Sequence, residues 1–152
     1  LREPTSRLNS VDFVISKENP LRHEFKLSLI PDHFYQLIQP KIKKTLDYFH
    51  GKTLHAVAGI GNHDQFFNSL RKLNLKIIEH PFPDHYLFKP HDFSYGSDAI
   101  IIMTEKDAVK CVGFVDARLW CLNTKTELDT NLLNTVLKRV TTLNNNLKSS
   151  SG

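Results

Sequence analysis

Long apolar runs are missing from this sequence of 152 residues. The longest is AIIIM, Ala99–Met103, which is far shorter than the roughly 18 apolar residues of a membrane-spanning helix. A short run of this kind is typical of a strand that is covered on both faces. The sequence therefore predicts a buried strand here and excludes a membrane-spanning helix.

Cysteine is scarce as well. Cys111 and Cys121 are the two cysteines, and they stand in no metal-binding or redox spacing. They indicate a reducing compartment and two structural thiols. The eight histidines show no His-x3-His pattern, so no zinc site is predicted. The sequence has no Gly-x-Ser-x-Gly elbow and no Cys/His nucleophile spacing. It also lacks the Lys-Ser/Thr of a phosphate loop, so the segment contains no complete nucleotide site.

What is present is an ordinary globular composition, with 40% hydrophobic and 24% charged residues. This composition excludes disordered and collagen-like chains, and the length suits a single domain with a real core. A net charge of +4 favours anionic partners such as phosphates, nucleic acid or acidic lipid headgroups, and does not choose among them. Because the first residue is Leu1 and no signal-peptide layout follows, we expect a segment of a longer protein.

Strand-like and helix-like runs alternate from Thr53 onward, which predicts an α/β fold, a three-layer sandwich with a mainly parallel sheet. The predicted strands are Thr53–Ile60, Leu75–His80, Asp98–Thr104 and Arg118–Thr124, and the predicted helices are Asn62–Leu73 and Asp129–Leu143. Before them we expect a strand at Val11–Ser16, an edge ribbon at His23–Ile30 and a helix at Pro40–Lys52. We therefore predict a β-ribbon and helical connector to an absent N-terminal domain over residues 1–50, an α/β domain over residues 51–145 and a flexible tail over residues 146–152.

Three loops follow predicted parallel strands, and α/β sheets usually bind ligands at that edge. The first, AGIGN, offers Gly59, Gly61 and Asn62 at a helix start, where backbone N–H groups can bind an anion. The alternative is a tight turn with an ordinary helix cap. The sequence leaves both interpretations open.

The loop TEKDAVK contains a capping box formed by Thr104 and Asp107. This structural interpretation explains both residues without any ligand. It does not explain Lys106, since a cation in the first turn is disfavoured by the helix dipole. A bound anion beside Lys106 would account for it.

The loop HPFPDHYLF, His80–Phe88, is rich in proline and aromatic residues. Pro83 restricts the backbone, and Asp84 stands next to His85. An imidazole oriented by a carboxylate is the usual arrangement of a general base. The alternative is an aromatic loop that plugs the end of the sheet.

Four motifs occur in a fixed order: LREP at Leu1–Pro4, HAVAGIGN at His55–Asn62, FPDHY at Phe82–Tyr86 and TEKDAVK at Thr104–Lys110. Together they make the chain resemble the C-terminal half of tetraacyldisaccharide 4'-kinase, the lipid A kinase family of Gram-negative bacteria. The resemblance implies transfer of the γ-phosphate of ATP to the 4'-hydroxyl of a tetraacylated glucosamine disaccharide 1-phosphate.

The same resemblance implies ATP and Mg²⁺ as cofactors, both held mainly by an N-terminal half that is absent from this segment. It implies the anionic glycolipid substrate and the protein's own N-terminal domain as partners, with no nucleic acid. It also implies peripheral contact with the membrane, at the cytoplasmic face of the bacterial inner membrane.

Site roles follow by motif from the resemblance. Arg2 and Glu3 match an Arg-Glu pair that faces the phosphates and the metal, so Arg2 is expected in catalysis and Glu3 at the metal. His85 matches a histidine that works with an upstream Asp, other than Asp84, in activating the acceptor hydroxyl. Lys106 and Asp107 are expected to line the cleft.

Two other functions stay open at this point. One is a non-catalytic α/β module that binds an anion or a sugar phosphate. The other is the acceptor half of a glycosyltransferase, for which AGIGN is a weak nucleotide-sugar site.

Overall fold

The structure is a computed structural model that describes residues 4–17, 20–21 and 24–149. Within this part of the chain the strands are β1 (Ile15–Ser16), β2 (Phe25–Gln36), β3 (Lys43–Lys44), β4 (Thr53–Ala58), β5 (Lys76–Pro81), β6 (Ile100–Thr104) and β7 (Leu119–Leu128). The α-helices are α1 (His63–Lys72), α2 (Glu105–Ala108) and α3 (Thr130–Ser149), and the 3₁₀ helices are Thr5–Ser10, Pro90–Phe93 and Val109–Cys111. The chain divides into two compact units, one of Leu1–Ile30 with Thr126–Gly152 and one of Pro31–Lys125.

The second unit contains a mixed, mainly parallel sheet, with the strand order β2-β7-β6-β4-β5, in which β2 takes part from Pro31 onward and β7 up to Lys125. Strand β4 runs parallel to both of its neighbours, so that Leu54 lies opposite Ile77 of β5 and Ile100 of β6. Strand β6 is also parallel to β7, whereas β3 is antiparallel to β2. The predicted α/β class with a mainly parallel sheet is confirmed.

One face of this sheet is covered by α1. Asn62 caps that helix, because its side chain accepts a hydrogen bond from the backbone N–H of Gln65 at 3.2 Å. Phe66, Phe67 and Leu70 of the helix are buried in one hydrophobic cluster with side chains of β4, β6 and β7. The predicted helix and its cap are therefore confirmed.

The opposite face is covered by the short helical turns. Ala108 of α2, Cys111 and Phe93 of the 3₁₀ helices are buried in a second hydrophobic cluster with side chains of β4, β6 and β7. Strand β6 contributes Ile102 to the first cluster, and Ile101 and Met103 to the second. This explains its unbroken apolar run, because a strand between two covered faces has no solvent side.

The first unit has less regular structure. Strand β1 runs parallel to the start of β2, with Ile15 opposite Phe25. Asp129 precedes α3, and its carboxylate accepts the N–H of Asn131 at 2.8 Å. Leu132 of α3 is buried, whereas Leu133, Leu137 and Val140 are exposed.

The predicted helix over Pro40–Lys52 was wrong. Lys43 and Lys44 form β3, and turns occupy residues 46–51, with Gly51 in a left-handed conformation (φ 78°). The reason is tertiary packing. The Phe49 ring lies edge-on between Phe34 and Trp120, with centroids 5.2 and 5.3 Å away. This burial outweighs the helix propensity of the surrounding lysines, since tertiary packing routinely overrides local propensity.

Candidate functional site

The three loops that carry the predicted site residues meet at one edge of the sheet. Strands β5, β4 and β6 are neighbours and run parallel, so their carboxyl ends point the same way. Residues after Ala58, Pro81 and Thr104 therefore lie along a single rim. This is the edge at which α/β sheets usually bind ligands.

His85 projects from this rim into solvent. Its side chain is 92% exposed, and its backbone is left-handed with φ at 60°. A residue other than Gly rarely adopts this conformation unless its surroundings impose it. Here the neighbouring Asp84 carboxylate accepts the backbone N–H of His85 at 3.0 Å, and Tyr86 N–H donates to the Pro83 carbonyl at 3.2 Å.

The Asp84 carboxylate does not hydrogen-bond to the imidazole of His85. The distance from Asp84 Oδ2 to His85 Nε2 is 3.7 Å, which is longer than a hydrogen bond allows. Asp84 therefore shapes the turn through the backbone. The imidazole is left open to a partner from outside this loop.

The aromatic residues of the same loop anchor it from below. The rings of Phe82, Tyr86 and Phe88 pack against one another with centroids 4.8 to 5.3 Å apart. Phe88 is buried and stacks on Phe93 at 5.6 Å. The aromatic plug and the exposed imidazole are thus both present: the rings fix the loop, and His85 protrudes from it.

The AGIGN loop is pressed between its two neighbours. A Cβ atom on Gly59 would meet the Phe88 ring at 3.1 Å and Asp107 Oδ1 at 3.3 Å. A Cβ atom on Gly61 would meet Asp84 Oδ2 at 3.1 Å. Both glycines are thus explained by close packing within the rim.

Asp107 holds this packing together from inside. Its side chain is fully buried, and Oδ2 accepts the N–H of Gly59 at 3.0 Å and the hydroxyl of Thr104 at 2.9 Å. Oδ1 accepts a hydrogen bond from Lys110 Nζ at 2.8 Å. Thr104 also caps α2 by accepting the N–H of Asp107 at 3.2 Å. This confirms one half of the predicted capping box. The Asp107 carboxylate accepts the Thr104 hydroxyl, in place of the reciprocal bond to the Thr104 backbone N–H.

Lys106 faces solvent on the same short helix. Its ammonium group makes no hydrogen bond or ion pair with any residue that the structure describes. An unpaired cation on the same rim as the exposed His85 suits an anionic ligand.

The two thiols lie inside the second hydrophobic cluster. Burial raises the pKa of Cys111 to about 11 and that of Cys121 to about 12. Both cysteines are free and buried, so neither supplies a thiolate nucleophile at neutral pH.

The structure brings most of the predicted site residues together. Gly59, Gly61, His85, Lys106 and Asp107 all lie in the three rim loops, and Asn62 ends the first of them. Arg2 and Glu3 lie outside the described residues. Within the described ranges no three His, Cys, Asp or Glu side chains are grouped closely enough to hold a metal ion.

The sequence analysis did not identify Lys110 as a site residue, although Lys110 joins two of the rim loops. Its ammonium group donates to the Gly59 carbonyl at 3.0 Å as well as to Asp107, and it lies 5.6 Å above the centre of the Phe88 ring. The available signal was the three-residue spacing of Asp107 and Lys110, which places opposite charges on one side of a helical turn.

A family model described as LpxK, tetraacyldisaccharide-1-P 4'-kinase, matches residues 1–142. The chain is 40% identical over 144 residues to the tetraacyldisaccharide 4'-kinase of Methylobacillus flagellatus, a match that covers 94% of this chain and 43% of that protein. It is 46% identical over 123 residues to the enzyme of the same name from Coxiella burnetii, covering 81% and 35%. The chain thus spans less than half the length of these relatives.

A solved structure has a similar fold. It is the "apo" form of LpxK from Aquifex aeolicus in complex with ATP, with a TM-score of 0.66 and 24% identity. The similarity covers 92% of this chain and 46% of that one. In the part of our chain that the structure describes, no helix combines the length and apolar character needed to cross a bilayer.

Proposed function

The chain belongs to the tetraacyldisaccharide-1-P 4'-kinase family, and from this membership we propose that it forms the C-terminal part of an ATP-dependent kinase. The proposed reaction transfers the γ-phosphate of ATP to the 4'-hydroxyl of tetraacyldisaccharide 1-phosphate. The observation that supports a catalytic site at this rim is the exposed imidazole of His85, which is held on a strained turn. The same rim bears Lys106. Strain of this kind is concentrated at functional sites.

In this proposal His85 is the general base. A ring nitrogen of the neutral imidazole takes the proton of the 4'-hydroxyl while the hydroxyl oxygen forms its bond to the γ-phosphorus. The bond from that phosphorus to the oxygen bridging it to ADP breaks, and ADP leaves. Because phosphoryl transfer depends mainly on positioning and charge neutralisation, a fixed turn suits the task.

The residues described here fit a part of the ATP site. Lys106 offers an exposed cation for a phosphate oxygen, and the loop of Gly59, Gly61 and Asn62 lies on the same rim. Mg²⁺, when bound, neutralises charge on the transferred phosphate; of the predicted contacts, Glu3 would hold it and Arg2 would face the phosphates. Most of the ATP and Mg²⁺ contacts are assigned to an N-terminal domain, in keeping with the partial span of the relatives.

The proposed substrate is an anionic, acylated glycolipid, so the enzyme works at a membrane surface. A net charge of +4 supports peripheral contact with acidic headgroups. We place this contact at the cytoplasmic face of the bacterial inner membrane. No nucleic acid partner is part of the proposal.

The test is His85→Ala in the complete kinase polypeptide. Loss of the general base should lower kcat by about 10²- to 10⁴-fold and leave the KM values for ATP and acceptor within about twofold. His91→Ala is a matched control, because His91 is another exposed histidine beside an aspartate, at 3.6 Å from Asp92, and its loss should leave kcat unchanged.

An unchanged kcat in His85→Ala would remove His85 from catalysis. If the chain then still bound sugar phosphates or nucleotides, the non-catalytic anion-binding module would be the better assignment. The exposed Lys106 is the observation that favours that second candidate.

A further inference from the structure

Gly59 is the first residue after β4, and its buried backbone is not paired with a neighbouring strand. The ladder to β5 ends at Ala58 opposite Pro81. Instead, Asp107 accepts the Gly59 N–H and Lys110 donates to the Gly59 carbonyl, at 3.0 Å each. One ion pair thus satisfies both polar groups of a single buried peptide residue.

We propose that the Asp107–Lys110 pair is a positioning device for His85, and that Asp107 is a positioning residue rather than a contact to ATP. This inference rests on the proposed function of His85. Both Asp107 oxygens are already hydrogen-bonded within the protein, and the side chain is 0% exposed. A cofactor would reach the carboxylate only by displacing Gly59, Thr104 or Lys110.

The connection to His85 runs through the packed glycine loop. Pinning Gly59 fixes the start of the loop that leads to Gly61. A Cβ atom on Gly61 would lie 3.1 Å from Asp84 Oδ2, so the Gly61 backbone runs close beside the Asp84 carboxylate, and a shift of this loop is passed on to Asp84. The other oxygen of Asp84 accepts the backbone N–H of His85 and so sets the left-handed turn.

A purely stabilising role explains this arrangement poorly. Buried ion pairs are weak contributors to stability, because the desolvation cost of the two charges offsets their attraction. Such a pair is better suited to fixing one conformation, since each hydrogen bond requires a definite geometry. The pair also lies directly between two of the rim loops, where misplacement by about 1 Å can cost 10²-fold in rate.

The experiment is a double-mutant cycle in the complete kinase. The double substitution D107N/K110M removes both charges together and so leaves no lone buried charge. It should lower kcat by about tenfold or more when His85 is present, and by less than about twofold in the His85→Ala background. The KM values for ATP and acceptor should stay within about twofold.

A second ion pair of the same unit provides the matched control. Arg118 donates to the Asp116 carboxylate at 2.6 Å, and this pair lies before β7, outside the three rim loops. D116N/R118M should leave kcat unchanged in both backgrounds. A loss equal to that of D107N/K110M would overturn the inference.

Two other results of the cycle would also overturn it. An equal fold-loss with and without His85 would show a general structural role. A raised KM for ATP with unchanged kcat would make Asp107 a cofactor contact. If His85→Ala itself leaves kcat unchanged, the proposed function fails instead, so the two failures are distinguishable.

A further arm does not depend on kinase activity. In the 152-residue chain, D107N/K110M should speed hydrogen exchange at the Gly59 amide and shift the NMR signal of the His85 amide, whereas D116N/R118M should do neither. An unmoved His85 signal would contradict the proposed connection.

If D107N/K110M does not fold, Thr104→Val replaces it in the double-mutant cycle with His85→Ala, because this substitution removes the hydroxyl that donates to Asp107 Oδ2. Thr104→Ser should rescue it, and failure of that rescue would count against the inference.

Discussion

At the scale of single residues, the rim depends on two glycines. Gly59 and Gly61 both sit where a methyl group would be crowded, but against different neighbours. Phe88 is a buried ring, and Asp107 is fixed by its hydrogen bonds. Asp84 is 54% exposed and has room to move outward.

Alanine at the two glycines should therefore have different effects. Gly59→Ala should destabilise the chain by about 1 to 3 kcal/mol, since the ring and carboxylate cannot yield without strain. Gly61→Ala should cost less than about 1 kcal/mol but displace Asp84 and lower kcat of the complete kinase. Denaturant unfolding of both variants, with kcat beside it, checks the contrast; equal stability losses would contradict it.

The site residues that sequence reasoning located best were those in local motifs. The capping pair of Thr104 and Asp107 was predictable because both partners lie within one turn. The contact of Lys110 with Gly59 was not, since it joins residues 51 positions apart. Whether His85 would be buried or exposed was also beyond the sequence, because the Pro-rich loop allowed either outcome.

At the scale of elements, β4 and β5 carry a pair of stacked histidines. His55 Nδ1 lies 2.9 Å from His80 Nε2, and both rings stack on Tyr95 with centroids 4.6 and 4.1 Å away. A hydrogen bond between two imidazoles needs one donor and one acceptor, so at least one ring is neutral. Burial lowers the pKa of His55, and burial together with the charge of His55 lowers that of His80.

This pair predicts a loss of stability in mild acid. Both folded-state pKa values lie below the unfolded value of about 6.5, so the unfolded chain binds protons more readily. The stabilisation is fully present above that value and is lost as the pH falls through it towards the folded-state values. The midpoint of urea unfolding should drop between pH 7.5 and pH 5. The double substitution H55F/H80F should flatten this dependence, and an equal drop in that variant would refute the assignment.

The elements themselves were predictable where the pattern was regular. Strands β4 to β6 and helix α1 have clear periods and caps, and the structure confirms them. The stretch Pro40–Lys52 was mistaken for a helix because Phe49 packs against residues far away in the sequence. The local sequence around Phe49 does not indicate that Phe34 and Trp120 will pack against it.

At the scale of the whole molecule, the chain spans 35% to 43% of the length of its relatives. Helix α3 presents Leu133, Leu137 and Val140 to solvent.

The fold class was predictable from the alternation of elements. The predicted boundaries of a connector (residues 1–50), an α/β domain (residues 51–145) and a tail (residues 146–152) stay predictions.

The 152-residue chain by itself should therefore fold but show no 4'-kinase turnover, because most ATP contacts are assigned to the N-terminal part. Circular dichroism and cooperative unfolding check the first half, and a phosphate-transfer assay with ATP and the acceptor lipid checks the second. The complete polypeptide in the same assay is the control. Turnover by the short chain would place the phosphate-binding machinery within it.

Because Gly59 packs tightly against the Phe88 ring, substitutions at positions 59 and 88 should occur together during evolution. A lineage that acquires a side chain at position 59 regains the lost stability when the ring at position 88 shrinks in step, for example to leucine. A suppressor screen that starts from Gly59→Ala should accordingly recover its compensating change at position 88, in the loop that holds the imidazole.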